Sequence, residues 1–350
     1  MGCGTLRAMA SSKLRVGVLG AGAVGCFVGG KLAAAKGAEV VFLGRARLQA
    51  EIRAFGLALT DLAGVEARVP ASEIVFETSP QVLENCDVIL CCVKSGHTAE
   101  VAESVRTLLS PRALVVSLQN GVSNAPALRE RLPEQTVLAG IVAFNVVPQG
   151  EGRFEQTTKG GLLLQAAEQD QLQRLVVACE EAGIGISTHA DIVRHQWSKL
   201  LVNLNNAVSA LSDVPTQQMV LSERYRRVIA ALMAEGLTVL KAAGVRPAAL
   251  RGMPLSLLPR LLRLPTPVVR LVARAQLGAN PEARSSMWED LNRGRKTEVE
   301  FLNGEIVRLA EQCGVSAPLN QRMVALIHRA EAAGSGSPKL AAEALLGHEG

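Results

Sequence analysis

Aromatic residues are scarce: two Trp, one Tyr and seven Phe make up 3% of the 350 residues. Any core must therefore be aliphatic. No dense Lys/Arg block with interleaved rings occurs, so the pattern argues against nucleic-acid binding. The seven cysteines (Cys3, Cys26, Cys86, Cys91, Cys92, Cys179 and Cys313) include no CxxC pair. An odd, scattered set argues against a disulfide framework or a zinc cluster, and for a reducing, cytoplasmic setting. No apolar run reaches the roughly 18 residues that a membrane-spanning helix needs. The opening MGCGTLRAMASSKLR has no acidic residue and is too weakly apolar for a secretory signal. Leu6 breaks the myristoylation pattern, and residues 1–13 read as a flexible extension before the first strand.

What is present is a chain 48% hydrophobic, 20% charged and of net charge +5. Its length suits two domains, and the modest positive excess suits a small anionic ligand. LRVGVL (14–19) and AEVVFL (38–43) read as strands separated by a helical pattern, with another helix from about Arg47. DVILCCV (87–93) and ALVVSL (113–118) read as buried parallel strands, each followed by a helix. Residues 136–165 suggest strands with Gly-containing turns that close one sheet edge. A helix near 168–182 and a strand near 184–188 follow. Beyond Asp191 only helical patterns remain, over 191–211, 217–243, 285–312, 318–332 and about 337–346. The expected fold is α/β: a Rossmann-type dinucleotide-binding domain over 14–190, then an all-α domain over 191–346. The Pro-punctuated segment 258–277, with Arg260, Arg263, Arg270 and Arg274, reads as a pair of short packed helices. A basic amphipathic stretch on a membrane surface is the alternative.

GAGAVG (Gly20, Ala21, Gly22, Ala23, Val24, Gly25) has GxGxxG spacing directly behind the first strand. That context gives the motif its meaning: a tight turn, close approach to a pyrophosphate, and a helix N-terminus for the phosphates. Dinucleotide sites for NAD place an acid about 20 residues on. Here that position is Arg45, in FLGRAR, and no acid lies between Phe42 and Ala50. Arg45, with Arg47 beside it, suits a 2′-phosphate, so NADP(H) is expected.

The stretch WSKLLVNLNNAVSAL (197–211) carries Lys199, Asn203, Asn205 and Asn206 on an otherwise apolar helix. At about 100° per residue, Asn203 lies about 40° from Lys199 and Asn206 about 20° to the other side. Asn205 turns elsewhere. A narrow polar stripe suits a polar cavity or, alternatively, amides that cap neighbouring elements. A buried ammonium of lowered pKa can protonate a carbonyl oxygen that receives a hydride. In SSMWEDLNRGRKTEVEF (285–301), Ser286 stands in capping-box spacing, as a helix cap or a ligand, and Glu298 follows between apolar neighbours. Asp191 reads as the cap of the lysine helix. His97 reads as a solvent-facing helix start, with a place lining the cleft as the alternative. His189 and His195 do not share a helix face, so no metal pair is expected.

Together GAGAVG, CVKS (92–95), LQNGV (118–122), WSKLLVN (197–203) and SSMWEDLNRGRKTEVEFLNG (285–304) resemble the ketopantoate reductase (2-dehydropantoate 2-reductase) family, in order, over about residues 14–332. The resemblance implies NADPH-dependent reduction of a 2-keto acid in pantothenate and coenzyme A biosynthesis, by a monomer or homodimer. It implies that Lys199 is the general acid and Glu298 the substrate-orienting carboxylate. Ser286 would lie near the substrate carboxylate, Asn120 beside nicotinamide and substrate, Lys94 near cofactor or substrate, and Asn203 against substrate. The family's second helix asparagine, eight residues after the lysine, is replaced by Ala207, with Asn206 just before it. The alternatives are a reductase of another 2-oxo acid and a non-catalytic NADP(H) sensor. The 6-phosphogluconate and β-hydroxyacid dehydrogenases are disfavoured, because HADIVRHQWS before the lysine lacks glycine.

Overall fold

The computed structural model describes residues 13–250, 252–273 and 282–347. The extension read over residues 1–13 lies almost wholly outside the described residues, as do Cys3 and Arg274. The chain begins with β1 (Leu14–Leu19), α1 (Ala23–Ala34), β2 (Ala38–Leu43) and α2 (Ala46–Phe55). Next come β3 (Leu57–Thr60), β4 (Glu66–Val69) and β5 (Val75–Glu77), in a stretch where the sequence pattern predicts no strand. β6 (Val88–Cys91), α3 (Thr98–Val105), β7 (Leu114–Ser117) and α4 (Asn124–Arg131) continue the alternation. They lead to β8 (Thr136–Val142), β9 (Val146–Gly150), β10 (Arg153–Gln156), β11 (Leu162–Gln165), α5 (Asp170–Glu181) and β12 (Ile186–His189).

The larger sheet runs β12-β11-β8-β7-β6-β1-β2-β5, parallel except where β11 meets β8. Its central strands are buried along their whole length in β6 and β7. Such apolar runs are what a parallel sheet covered on both faces requires. The edge expected from residues 136–165 is only half of what forms. β8 and β11 join the large sheet, but β9 and β10 pair with β3 and β4 as a separate sheet, β4-β3-β10-β9. The alternating burial of β3 is the reason: Leu57 and Leu59 face inward, with Val69 and Phe154, onto the core shared with α1. Helix α1 is thus enclosed by sheet on two sides, and a Cβ on its Gly30 would stand 2.6 Å from Leu59.

After His189 the described chain is helical: α6 (Ile192–Asn203), α7 (Asn205–Ser212), α8 (Thr216–Leu221), α9 (Glu223–Ala242), α10 (Leu258–Leu262), α11 (Thr266–Ala273), α12 (Ser286–Asn292), α13 (Asn303–Gln312), α14 (Pro318–Ala333) and α15 (Ala342–Leu346). Leu200, Leu204, Val208 and Leu211 lie in its core, each no more than 1% exposed. Each such side chain contributes about 1.5–3 kcal/mol. Fully buried Arg226 donates to the carbonyls of Val220, Leu262 and Leu264 and to Thr266 Oγ1. It thereby ties α9 to the α10–α11 segment. No described helix is long and apolar enough to cross a membrane.

Local expectations are corrected, among them the helix read over 217–243, which is split at Ser222, where the backbone is extended. The helix read over 191–211 is interrupted at Leu204, whose ψ of −23 lies near the 3-10 value, where three asparagines offer poor helix propensity. The pattern read as one helix over 285–312 is broken after Asn292. Gly294 takes φ +61, and Arg295 N–H reaches back to Asp290 O at 2.8 Å, ending the helix as a left-handed cap. Asp191 holds the N-cap position of α6 but its side chain makes no capping hydrogen bond; its carboxylate lies 3.9 Å from Arg194.

The described cysteines are all free. Burial pushes the Cys91 and Cys179 thiols up to about 12, so they pack as small apolar groups.

Candidate active site

The glycine turn joins the carboxyl ends of β1 and β2. The amides of Gly20 and Ala21 both donate to Leu43 O, at 3.1 and 2.8 Å. Gly20 has φ +93, and a Cβ there would stand 2.7 Å from the Val93 backbone nitrogen, so only glycine fits. Gly25 approaches Gly20 O just as closely, whereas a Cβ on Gly22 would meet nothing within 4 Å. The open side of the turn is therefore at Gly22, where α1 begins with its first amides directed outward. This is a cradle that suits a pyrophosphate.

At the end of β2, Arg45 is the N-cap residue of α2 and is exposed, as is Arg47. Neither forms an ion pair among the described residues. The nearby Glu77 carboxylate, at the end of β5, is engaged by Gln49 at 3.0 Å and by Arg53 at 3.4 Å.

Lys199, from the second turn of α6, reaches the carboxyl ends of the large sheet. Its Nζ donates to Asn120 Oδ1 at 2.9 Å and to Val142 O at 2.7 Å. Asn120 lies just beyond β7 and turns its other amide atom, Nδ2, to Glu298 Oε2 at 3.1 Å. Lysine and carboxylate are thus bridged through one amide and do not pair directly. Lys199 keeps partial solvent contact, yet burial of its ammonium pulls its pKa down to about 8, against the opposing pull of Glu298. Glu298 reaches this point because the break after α12 places it in a loop, just before the 3-10 turn Val299–Phe301.

Asn203 and Asn206 are partly exposed, and no protein group engages their side-chain amides among the described residues. Asn203 lies one helical turn beyond Lys199 and keeps its face. Ala207 is fully buried in the helical core. Lys94, exposed beyond β6, reaches across to buried Asp290 of α12 at 2.5 Å. Burial raises the Asp290 pKa, and Lys94 opposes that rise. Ser286 is the exposed first residue of α12, and its neighbour Ser285 is the cap. Ser285 Oγ accepts from Trp288 N at 3.1 Å and donates to Asn206 O at 3.0 Å. With Ser285 as N-cap, position N3 is Trp288, so no capping box forms. His97 is exposed, 3.4 Å from Glu100. The rings of His189 and His195 meet with centroids 4.4 Å apart, because the end of β12 abuts α6.

Ser95 is the residue that sequence reasoning passed over. Its amide and Oγ both donate to Glu298 Oε1, at 3.0 and 2.8 Å. The CVKS motif contained it, but nothing local distinguishes it from a helix-start serine.

Family models described as "Ketopantoate reductase PanE/ApbA" and "Ketopantoate reductase PanE/ApbA C terminal" match residues 16–169 and 191–331. The 2-dehydropantoate 2-reductase of Halobacterium salinarum is 29% identical over 322 residues, covering 91% of this chain and 99% of that protein. That of Archaeoglobus fulgidus is 29% identical over 326 residues, covering 91% and 98%. Among solved structures, a PanE/ApbA family ketopantoate reductase from Ralstonia eutropha JMP134 superposes with a TM-score of 0.78 at 31% identity, covering 92% of this chain and 99% of that one. D-mandelate dehydrogenase, solved with NADH and anilino(oxo)acetate, shares the fold at a TM-score of 0.75 and 20% identity, covering 92% and 99%.

Proposed function

The chain belongs to the PanE/ApbA ketopantoate reductase family of oxidoreductases, and from that premise we propose that it reduces ketopantoate to pantoate with NADPH. The observation that carries this reading is the bridge Lys199–Asn120–Glu298, drawn from both halves of the chain and set at the carboxyl ends of the parallel strands. Ligands of open α/β sheets bind at that edge.

The nicotinamide cofactor supplies the hydride when bound. Gly20, Gly22 and the α1 amides would hold its pyrophosphate, and Arg45 would grip a 2′-phosphate. Lys94 lies beside the same strand ends. Lys199 donates the proton to the keto oxygen. Enclosure makes its ammonium a stronger acid than a solvated lysine, while a pKa of about 8 keeps it largely protonated at neutral pH. Asn120, fixed by Lys199 on one side and Glu298 on the other, presents the ammonium without competing for its proton. Glu298 orients the substrate hydroxyl, and Asn203, Asn206 and exposed Ser286 bind its polar end.

Burial of Ala207 favours a second reading, another 2-oxo acid as substrate. The helix turns a methyl into the core there, so recognition falls to Asn203 and Asn206. The free, buried cysteines support a reducing compartment, which we take to be the cytoplasm. The Staphylococcus aureus ketopantoate reductase is described as dimeric, and a homodimer is a reasonable assembly for this chain. NADPH consumption across a panel of 2-oxo acids tests the reading. Ketopantoate is expected to give the highest kcat/KM. A higher value for another acid selects the second reading, and no turnover of any 2-oxo acid defeats both.

A further inference from the structure

Beneath Glu298 lies a chain of neutral polar groups that the reaction as described does not use. Ser95, Thr98, Ser117, Gln119 and Asn124 are each no more than 6% exposed. Asn124 Nδ2 donates to Ser95 Oγ at 3.0 Å, and Thr98 Oγ1 donates to Asn124 Oδ1 at 2.7 Å. Gln119 Nε2 donates to Thr98 Oγ1 at 2.6 Å, and Gln119 Oε1 accepts from Ser117 Oγ at 3.1 Å.

The direction of these bonds is forced from one end. A carboxylate only accepts, and at 2.8 Å it is nearer than the competing Asn120 carbonyl at 3.2 Å, so Ser95 Oγ gives its proton to Glu298. The hydroxyl can then only accept from Asn124, which fixes the amide of Asn124 with its oxygen toward Thr98. Glu298 Oε1 thus receives two donors from Ser95 and Oε2 one from Asn120. The charged groups that act on this carboxylate are Lys199 from α6 and Asp290 from α12, and Asp290 is itself faced by Lys94 beyond β6 and by Arg295 in the following loop. None of them bonds to it directly; the neutral groups hold it.

We propose that Ser95, oriented by Asn124, is a positioning residue that holds the Glu298 carboxylate, and through it the Asn120 amide, in the register against which Lys199 works. The proposal builds on the 2-oxo acid reductase reading. Its rival is that these groups only staple the first turns of α3 and α4, where Thr98 and Asn124 stand.

The test is a double-mutant cycle. Ser95→Ala is expected to lower kcat by about 10–100-fold, the scale of a small misplacement of reacting groups, with little change in cofactor KM. The alkaline limb of the kcat/KM profile should move to lower pH, because Lys199 loses part of the attraction of Glu298. Ser95→Thr, which keeps the hydroxyl, should keep the wild-type limb. In the Glu298→Gln background Ser95→Ala should add little, since the group it positions has lost its charge. A wild-type kcat and limb in Ser95→Ala overturns the proposal, as do losses that add fully to those of Glu298→Gln. NMR titration of the Lys199 ammonium in the NADPH-bound protein reads the same shift without turnover. Failure to reduce any 2-oxo acid would therefore sink the reductase reading and leave the positioning role to be judged by that titration.

Discussion

The two halves of the molecule bring different kinds of group to the same point. Apart from Lys94, which pairs with Asp290, the sheet half supplies neutral ones: backbone amides at the glycine turn, the Asn120 amide, and the buried chain from Gln119 to Ser95, whose members hold one another. The helical half supplies charge: Lys199 from α6 and Glu298 from the loop after α12. Neutral groups that satisfy one another inside a fold are stable without water, whereas an enclosed charge needs a partner. Asn120 serves both halves, meeting lysine with its oxygen and carboxylate with its nitrogen. On the proposed reading, cofactor binding falls to the sheet half and proton donation to the helical half, and variants in each should separate them.

The sharpest separation is expected from Lys199→Ala. It should lower kcat for reduction by about 10²–10⁴-fold while NADPH affinity, read by fluorescence titration, stays near wild type. A loss of cofactor binding equal to the loss of rate would erase the division. From the sheet half, Arg45→Ala should raise the KM for NADPH by about 10–100-fold, the worth of a charge-assisted hydrogen bond. The values for NADH should hold steady. Equal effects on both cofactors would remove Arg45 from the 2′-phosphate.

Gly25→Ala brings a methyl to 2.8 Å from Gly20 O and from Val18. Thermal unfolding should show a loss of about 1–3 kcal/mol, as overpacking does, with kcat at saturating NADPH little changed. The smallest effect is on pH. The proposed proton donation needs protonated Lys199, so kcat/KM should fall as pH rises through about 8. Glu298 raises that pKa, so Glu298→Gln should move the fall to lower pH. A fall that stays in place would mean that the carboxylate does not reach the lysine electrostatically.

Much of the fold was legible where local pattern and tertiary placement agree. The runs LRVGVL and AEVVFL are β1 and β2, and the glycines behind the first are a strand-to-helix turn. The small sheet was not legible. β3 and β4 are four residues long, too short for periodicity to register, and the sheet they form depends on β3 pairing with distant β10. Capping was misassigned by one residue, to Ser286 instead of Ser285, because SSMW offers two serines. Only contact with Asn206 O and Ser209 selects the first. The reach of Lys199 and Asn203 to one face was readable at one turn's spacing. The relation of Asn206 to that face was less so, since the helix is interrupted at Leu204.

The sequence by itself determined which chemical groups exist and how neighbours along the chain are arranged: a glycine turn behind a strand, arginines in place of an acid at the second strand's end, and a lysine with an asparagine one turn on. Those follow from backbone geometry over a few residues. Only the tertiary structure decided that Asn120 bridges Lys199 and Glu298, across 79 and 178 residues, and that Ser95 meets Glu298 across 203. Contacts at such separations depend on how loops pack against strand ends, which no local spacing encodes.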